Sequence, residues 1–251
     1  MTPQPGALPP APTQRRRATT EALLLLARPL LAISFALYRV EVRRNLYPRD
    51  APVTQIEGVD PQGLLFAGDI AVAGHGVLSH GLTVAAQASY GIAAASDRGA
   101  QLTMISQTDL TMAQLAARTR YGADGVEIAF LMLGIPDVLL ATRSEKWAAD
   151  LRVVAERIRS ESQFRAVRIV VSGIPPLSDF RAIRPAVRRI IDRQVERLNA
   201  VSQEVAASTP GMVFVPFPTW RLGDMYVNRL FSWKTLHEVW AEALAAAVAP
   251  R

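Results

Sequence analysis

The sequence predicts a three-layer α/β/α domain around a five-stranded parallel sheet. Two observations carry this. Five short apolar runs rich in β-branched residues, at 64–68, 101–106, 126–133, 167–172 and 212–217, read as strands. Longer segments with helical spacing separate them, near 80–98, 111–118, 144–162 and 184–208, and a last helix is expected over 237–248. Strands that alternate with helices imply parallel pairing, because parallel neighbours need crossover connections. Near-continuous apolar strands fit a sheet covered on both faces.

The individual elements support this layout. In 184–208, Val187, Ile190, Ile191, Leu198, Val201 and Val205 form one broad apolar stripe, and Arg189, Asp192, Arg193, Glu196 and Arg197 fill the other face. Residues 1–20 are rich in Pro, Gln, Thr and Ala and include Arg15, Arg16 and Arg17. They lack the apolar content that offsets chain entropy, so a disordered basic tail is expected there. Residues 21–62 are expected to form an N-terminal helix and a Pro-containing linker, and residues 63–251 the α/β domain.

The apolar stretch 22–37 is interrupted by Arg28 and Pro29. As a helix it reaches about 24 Å, short of a hydrocarbon core of about 30 Å. A helix docked on the domain is the leading expectation. Peripheral membrane contact through residues 22–37, with the flanking arginines against anionic lipid, is the second. The location expected is cytoplasmic or peripheral to the inner membrane, ahead of export.

Composition narrows the chemistry. The 251 residues contain no cysteine, which excludes thiolate catalysis and cysteine-ligated metals. The net charge is +6, carried almost wholly by arginine. The arginines are interleaved with Asp and Glu along several helices, so a solvated basic surface is favoured and no nucleic-acid partner is expected.

In such folds ligands bind beyond the carboxyl ends of the strands, where strand order reverses. Those ends read GDIAVAGHGV at 68–77, SQTDLT at 106–111, LGIPDV at 133–138 and SGIPPLSDF at 172–180, followed by SWKTLHEVWAEAL at 232–244. Together they resemble the SGNH/GDSL hydrolase family, in the bacterial branch with a Gly-Asp-Ser turn after the first strand. The resemblance covers roughly residues 64–249 and implies the SGNH hydrolase (flavodoxin-like) fold. The family's chemistry uses a serine nucleophile, a histidine base oriented by an aspartate three residues earlier, and an oxyanion hole from the second and third blocks.

Carried over residue by residue, the resemblance places Ile70 at the nucleophile, Asp109 at the second-block glycine, Pro136 at the third-block asparagine and Lys234 at the orienting aspartate. His237 is retained, with the framework residues Gly68, Asp69, Gly134 and Asp137. Loss of such a nucleophile costs about 10⁶ in turnover in a serine protease. The expectation is a protein that has lost serine esterase activity and serves a binding or accessory role, with an unidentified small ligand or protein partner. The alternative is an ester or acyl hydrolase with a rearranged site.

Five further expectations concern side chains near this rim. Ser79 is read as capping the following helix rather than as a relocated nucleophile, and His75 as a partly exposed loop histidine. His237, at the entrance to the last helix, is read as hydrogen-bonded to backbone, with a ligand-binding role as the alternative. Asp109 and Lys234 are expected to pair across the vacated site. A metal held by Asp69, Asp109, Asp137 and His237 is a weaker reading, so no metal or cofactor is expected.

Overall fold

The computed structural model describes residues 14–163, 166–177, 185–219, 226–227 and 230–249. Five parallel strands form the body of the sheet: β2 (Gln62–Gly68), β3 (Ala100–Ser106), β4 (Val126–Met132), β5 (Arg168–Ser172) and β6 (Met212–Val215). A sixth, β1 (Gln55–Ile56), pairs antiparallel with β3, giving the order β1-β3-β2-β4-β5-β6. Sequence reading left β1 in the linker because it has only two residues, too few to show a period. A separate two-stranded ribbon joins β7 (Tyr226–Val227) to β8 (Leu230–Phe231).

Alternation along the strands divides the core into two layers. Leu65 and Ala67 of β2 belong with Ala129 and Leu131 of β4 to one apolar cluster, whereas Leu64 and Phe66 belong with Ile128 and Phe130 to the other. The rings of Phe66 and Phe130 stack across neighbouring strands at 4.6 Å. The first layer is closed by α4 (Met112–Ala116), α5 (Ile135–Leu139), α6 (Ser144–Glu161) and α7 (Pro185–Ser208), and the second by α2 (Ile70–Ala73), α3 (Val84–Ser96) and α8 (Trp233–Val248). The stripe expected on α7 is realised: Val187, Ile191, Leu198 and Val205 are buried, and Ile190 and Val201 pack beside them.

Two helices start earlier than expected. Helix α1 spans Gln14–Arg44, so the expected tail at 1–20 is helical from Gln14 onward, and residues 1–13 lie outside the described residues. Arginine and alanine are good helix formers, and extending an existing helix avoids the cost of nucleation. The helix also continues through Pro29. Helix α8 begins at Trp233, where Ser232 Oγ accepts from Thr235 N at 3.2 Å, so His237 lies in its second turn rather than at its entrance.

The parallel register brings Gly68 level with Ser106 on one side and Met132 on the other. The turns leaving β2, β3 and β4 therefore share one rim, and the reversal of strand order falls between β2 and β4. Helix α1 lies beside this rim. Its Leu31, Tyr38 and Val42 are buried in the first layer, and Tyr38 Oη donates to the Thr108 carbonyl at 2.6 Å.

Candidate functional site

Gly68 ends β2 against the neighbouring strand. A Cβ there would stand 2.4 Å from the Met132 carbonyl oxygen, so only glycine fits. Asp69 follows and ties the rim together. Its Oδ1 accepts from Ala71 N at 3.3 Å, and its Oδ2 accepts from Gly134 N and Ile135 N at 3.2 and 3.1 Å. Burial pushes its carboxyl up to about 7 despite these three donors, with the nearby Asp137 adding to the rise. Asp137 is equally buried. It accepts from Met112 N at 2.9 Å and Thr142 Oγ1 at 2.8 Å, and burial lifts it to about 6.

Ile70, the first residue of α2, packs its half-buried side chain against the first core layer, where Phe35 of α1 also packs. Pro136, at the second position of α5, is buried and provides no N–H. Gly134 adopts φ 138°, and a Cβ there would meet Ile174 Cδ1 at 2.3 Å.

His237 is 2% exposed, and both its ring nitrogens are bonded to backbone. Val84 N donates to Nδ1 at 3.1 Å, so Nδ1 is the unprotonated nitrogen, and Nε2–H donates to the His75 carbonyl at 3.0 Å. Burial pulls its pKa below the usual histidine value.

His75 differs from its expectation as a partly exposed loop residue: it is 5% exposed. Gly74 and Gly76 on either side adopt positive φ, and a Cβ on Gly76 would meet Trp233 Cγ at 2.2 Å. That close approach seats the His75 ring edge-on to Trp233 at 4.5 Å. Asn45 Nδ2 donates to its Nε2 at 3.2 Å, which leaves Nδ1–H to the Tyr47 hydroxyl, also at 3.2 Å. Burial raises the Tyr47 phenol to about 12, with the Asp69 and Glu41 carboxylates adding to the rise.

The expected Asp109–Lys234 pair is not formed. Asp109 accepts from Arg39 Nε of α1 at 3.1 Å and Gln107 Nε2 at 2.8 Å. Lys234 pairs with Glu238 one turn along its own helix, at 3.4 Å. Sequence reading overlooked α1 as a source of cations at the rim, and an i,i+4 partner was closer to Lys234 than anything across the cleft.

Ser79 stands at the N-cap of a single 3-10 turn, His80–Leu82, but its side chain makes no cap bond. Its Oγ donates to Asp50 Oδ2 at 2.7 Å, and Asp50 Oδ1 accepts from both the backbone N and the ring Nδ1 of His80 at 2.8 Å. The cap of α3 is Thr83, whose Oγ1 accepts from Ala86 N at 3.3 Å. Ser79 and His80 thus both bond one carboxylate and not each other, which differs from a serine–histidine relay.

A cavity of about 90 Å³ lies between α1 and the strand ends. Its apolar walls include Tyr38, Val42, Ile70, Ile135, Leu236 and Trp240, and Glu41, Asn45, His75 and His237 add polar atoms. Among the described lining residues there is no serine or threonine, and the one hydroxyl, on Tyr38, is bonded to the Thr108 carbonyl. Small-molecule sites usually occupy about 300–1,000 Å³, so this is a narrow space. Among the described residues, no three His, Asp or Glu side chains are grouped so as to hold a metal ion. Asn45, Tyr47, Asp50 and Arg39 escaped sequence reading because their partners lie 28 to 70 residues away, beyond any local period.

This architecture has solved counterparts. TesA aligns with a TM-score of 0.53 at 19% identity, over 75% of this chain and 99% of that one. The chain has the SGNH hydrolase fold. A Clostridium thermocellum family 3 carbohydrate esterase aligns at 0.52 and 14% identity, over 76% of this chain and all of that one. A protein from Streptococcus pneumonia aligns at 0.52 and 14% identity, over 94% of this chain and 99% of that one. No protein-family model matches the sequence, and neither does any curated protein. The SGNH likeness is therefore one of chain path, with the chemistry left to the side chains.

Proposed function

We propose that this SGNH-fold chain is a binding or accessory protein that does not perform covalent acyl transfer. One observation carries the reading. The cavity at the strand-order reversal presents Ile70 in the turn leaving β2, and its described lining contains no serine, threonine or cysteine. Covalent catalysis needs a nucleophile within hydrogen-bond reach of a base. His237, the residue in the base position, already uses both ring nitrogens on backbone partners. Asp69 and Asp137 support the same reading, because both are consumed in tying backbone N–H groups of the rim.

The test uses the full chain with a fluorophosphonate probe and short p-nitrophenyl esters. The expected result is neither labelling nor turnover above buffer. Labelling or hydrolysis that Ser79→Ala or His237→Ala abolishes would replace this reading with that of a rearranged ester hydrolase.

A further inference from the structure

Helix α1 carries two apolar stripes, and the domain covers only one. Leu31, Tyr38 and Val42 are 1–2% exposed against the first core layer. On another side of the helix, Leu30, Ile33, Leu37 and Val40 are 41, 60, 63 and 49% exposed. At 3.6 residues per turn these four fall within an arc of about 80°. Other exposed large apolar side chains, such as Val59, Leu78 and Val153, come from separate segments of the chain. The α1 stripe is contiguous along three turns of helix, which scattered surface residues are not.

The charge along the same helix is one-sided. Arg15, Arg16, Arg17, Arg28, Arg39, Arg43 and Arg44 stand against Glu21 and Glu41 alone. Arg43 and Arg44 are exposed and directly follow the stripe. No described helix is long and apolar enough to cross a membrane.

We infer that the outer face of α1 lies on an anionic lipid surface, with Leu30, Ile33, Leu37 and Val40 in the headgroup–acyl boundary and Arg43 and Arg44 against lipid phosphates. An apolar stripe beside concentrated positive charge is the pattern that binds such surfaces in the interface plane. A second copy is a poor occupant for this face, because a two-fold contact would set one arginine-rich helix against another. The opposite side of α1 supplies Tyr38 and Val42 to the cavity wall, so docking would place the cavity behind the lipid-facing helix. The inference does not depend on whether that cavity is catalytic.

Flotation of the full chain with vesicles tests it. The chain is expected to float with phosphatidylcholine–phosphatidylglycerol vesicles, to stay behind with phosphatidylcholine alone, and to be released as salt screens the arginines. The double substitution Ile33→Ser, Leu37→Ser is expected to lower the bound fraction about tenfold. Its thermal melt should match that of the unsubstituted chain, since both side chains are exposed. Arg43→Glu with Arg44→Glu should act in the same direction, and Val153→Ser on α6 should change nothing. Equal flotation on both lipid mixtures, or undiminished flotation of the Ile33/Leu37 variant, would overturn the inference. So would a dimer in sedimentation that this variant converts to monomer without any vesicle binding.

Discussion

Val84 donates its backbone N–H to Nδ1 of His237 at 3.1 Å, pinning the imidazole across 153 residues of sequence. The ring's other nitrogen donates to the His75 carbonyl at 3.0 Å, so a single neutral tautomer satisfies both contacts. Protonating Nδ1 would set two donors against each other in a buried space. The histidine therefore holds the start of α3 and the loop after α2 together.

The first prediction follows from that tautomer. His237 has its folded pKa lowered, whereas the unfolded chain titrates near 6.5. Below that value the unfolded state binds a proton that the native state refuses, so stability falls as pH drops through 6.5 toward the folded pKa. An NMR titration of the His237 ring is expected to show it neutral at pH 6. A midpoint at or above 6.5 would contradict the hydrogen-bond assignment.

Introducing a hydroxyl at position 70 should not create esterase chemistry. Ile70→Ser places an oxygen in the turn leaving β2, but His237 has no free nitrogen to accept its proton, because both ring nitrogens are bonded to backbone. Fluorophosphonate labelling of this variant is expected to equal that of the unsubstituted chain. Stoichiometric labelling at position 70 would show that the ring can leave its backbone partners.

Asp69 has the opposite pH dependence. Its folded pKa, about 7, lies above the unfolded value of 3.8. The native state holds the proton longer, so the residue's contribution is complete below pH 3.8 and is lost as pH rises toward 7. Asp69→Ala should destabilise at every pH, by about 1–3 kcal/mol, because three N–H groups lose their acceptor. The penalty is expected to be smaller at pH 8 than at pH 5, as read from paired urea titrations. A penalty that grows with pH would mean that the carboxylate is charged throughout.

Tyr38 and Arg39 both tie α1 to the rim, and their polar contacts should differ in strength. Tyr38→Phe removes the 2.6 Å bond to the Thr108 carbonyl and is expected to cost about 1 kcal/mol. Arg39→Ala removes the partly exposed pair with Asp109 and should cost under about 1 kcal/mol, diminishing as salt is added. Denaturant midpoints at low and high salt separate the two. A larger cost for Arg39→Ala than for Tyr38→Phe would assign the docking to the ion pair, and a cost that salt leaves unchanged would show that the Arg39–Asp109 contact is not the source of it.

Gly68→Ala probes why glycine precedes Asp69. The new methyl would stand 2.4 Å from the Met132 carbonyl oxygen and 2.5 Å from Val72 Cγ2, so β2 and β4 must separate. A loss of about 1–3 kcal/mol or more is expected in thermal or chemical unfolding. An unchanged midpoint would show that the strand ends are less closely packed.

The strands were legible because each is an apolar run bounded by turn residues, and the long helices because their stripes repeat with the helical period. Strand ends at 68, 106 and 172 agree with the expectation, and the rim residues Gly68, Asp69, Gly134 and Asp137 follow from them. Short elements were not legible: β1, α2 and α5 have two to five residues, less than the two turns or few alternations that a period needs.

By itself, the sequence determined the layer order, the parallel sheet and the absence of a hydroxyl at position 70, because these depend on local pattern and residue identity. Only the tertiary structure decided that Asp109 bonds Arg39, that Lys234 turns to Glu238, that His75 is buried by Trp233 and Tyr47, and that His237 spends both nitrogens on backbone. The choice of partner for a charge or an imidazole depends on distance and burial, and most of these contacts join residues far apart in the chain. The Lys234–Glu238 pair is the instructive exception: its spacing was visible in the sequence, but only coordinates could show that it prevails over a contact across the cleft.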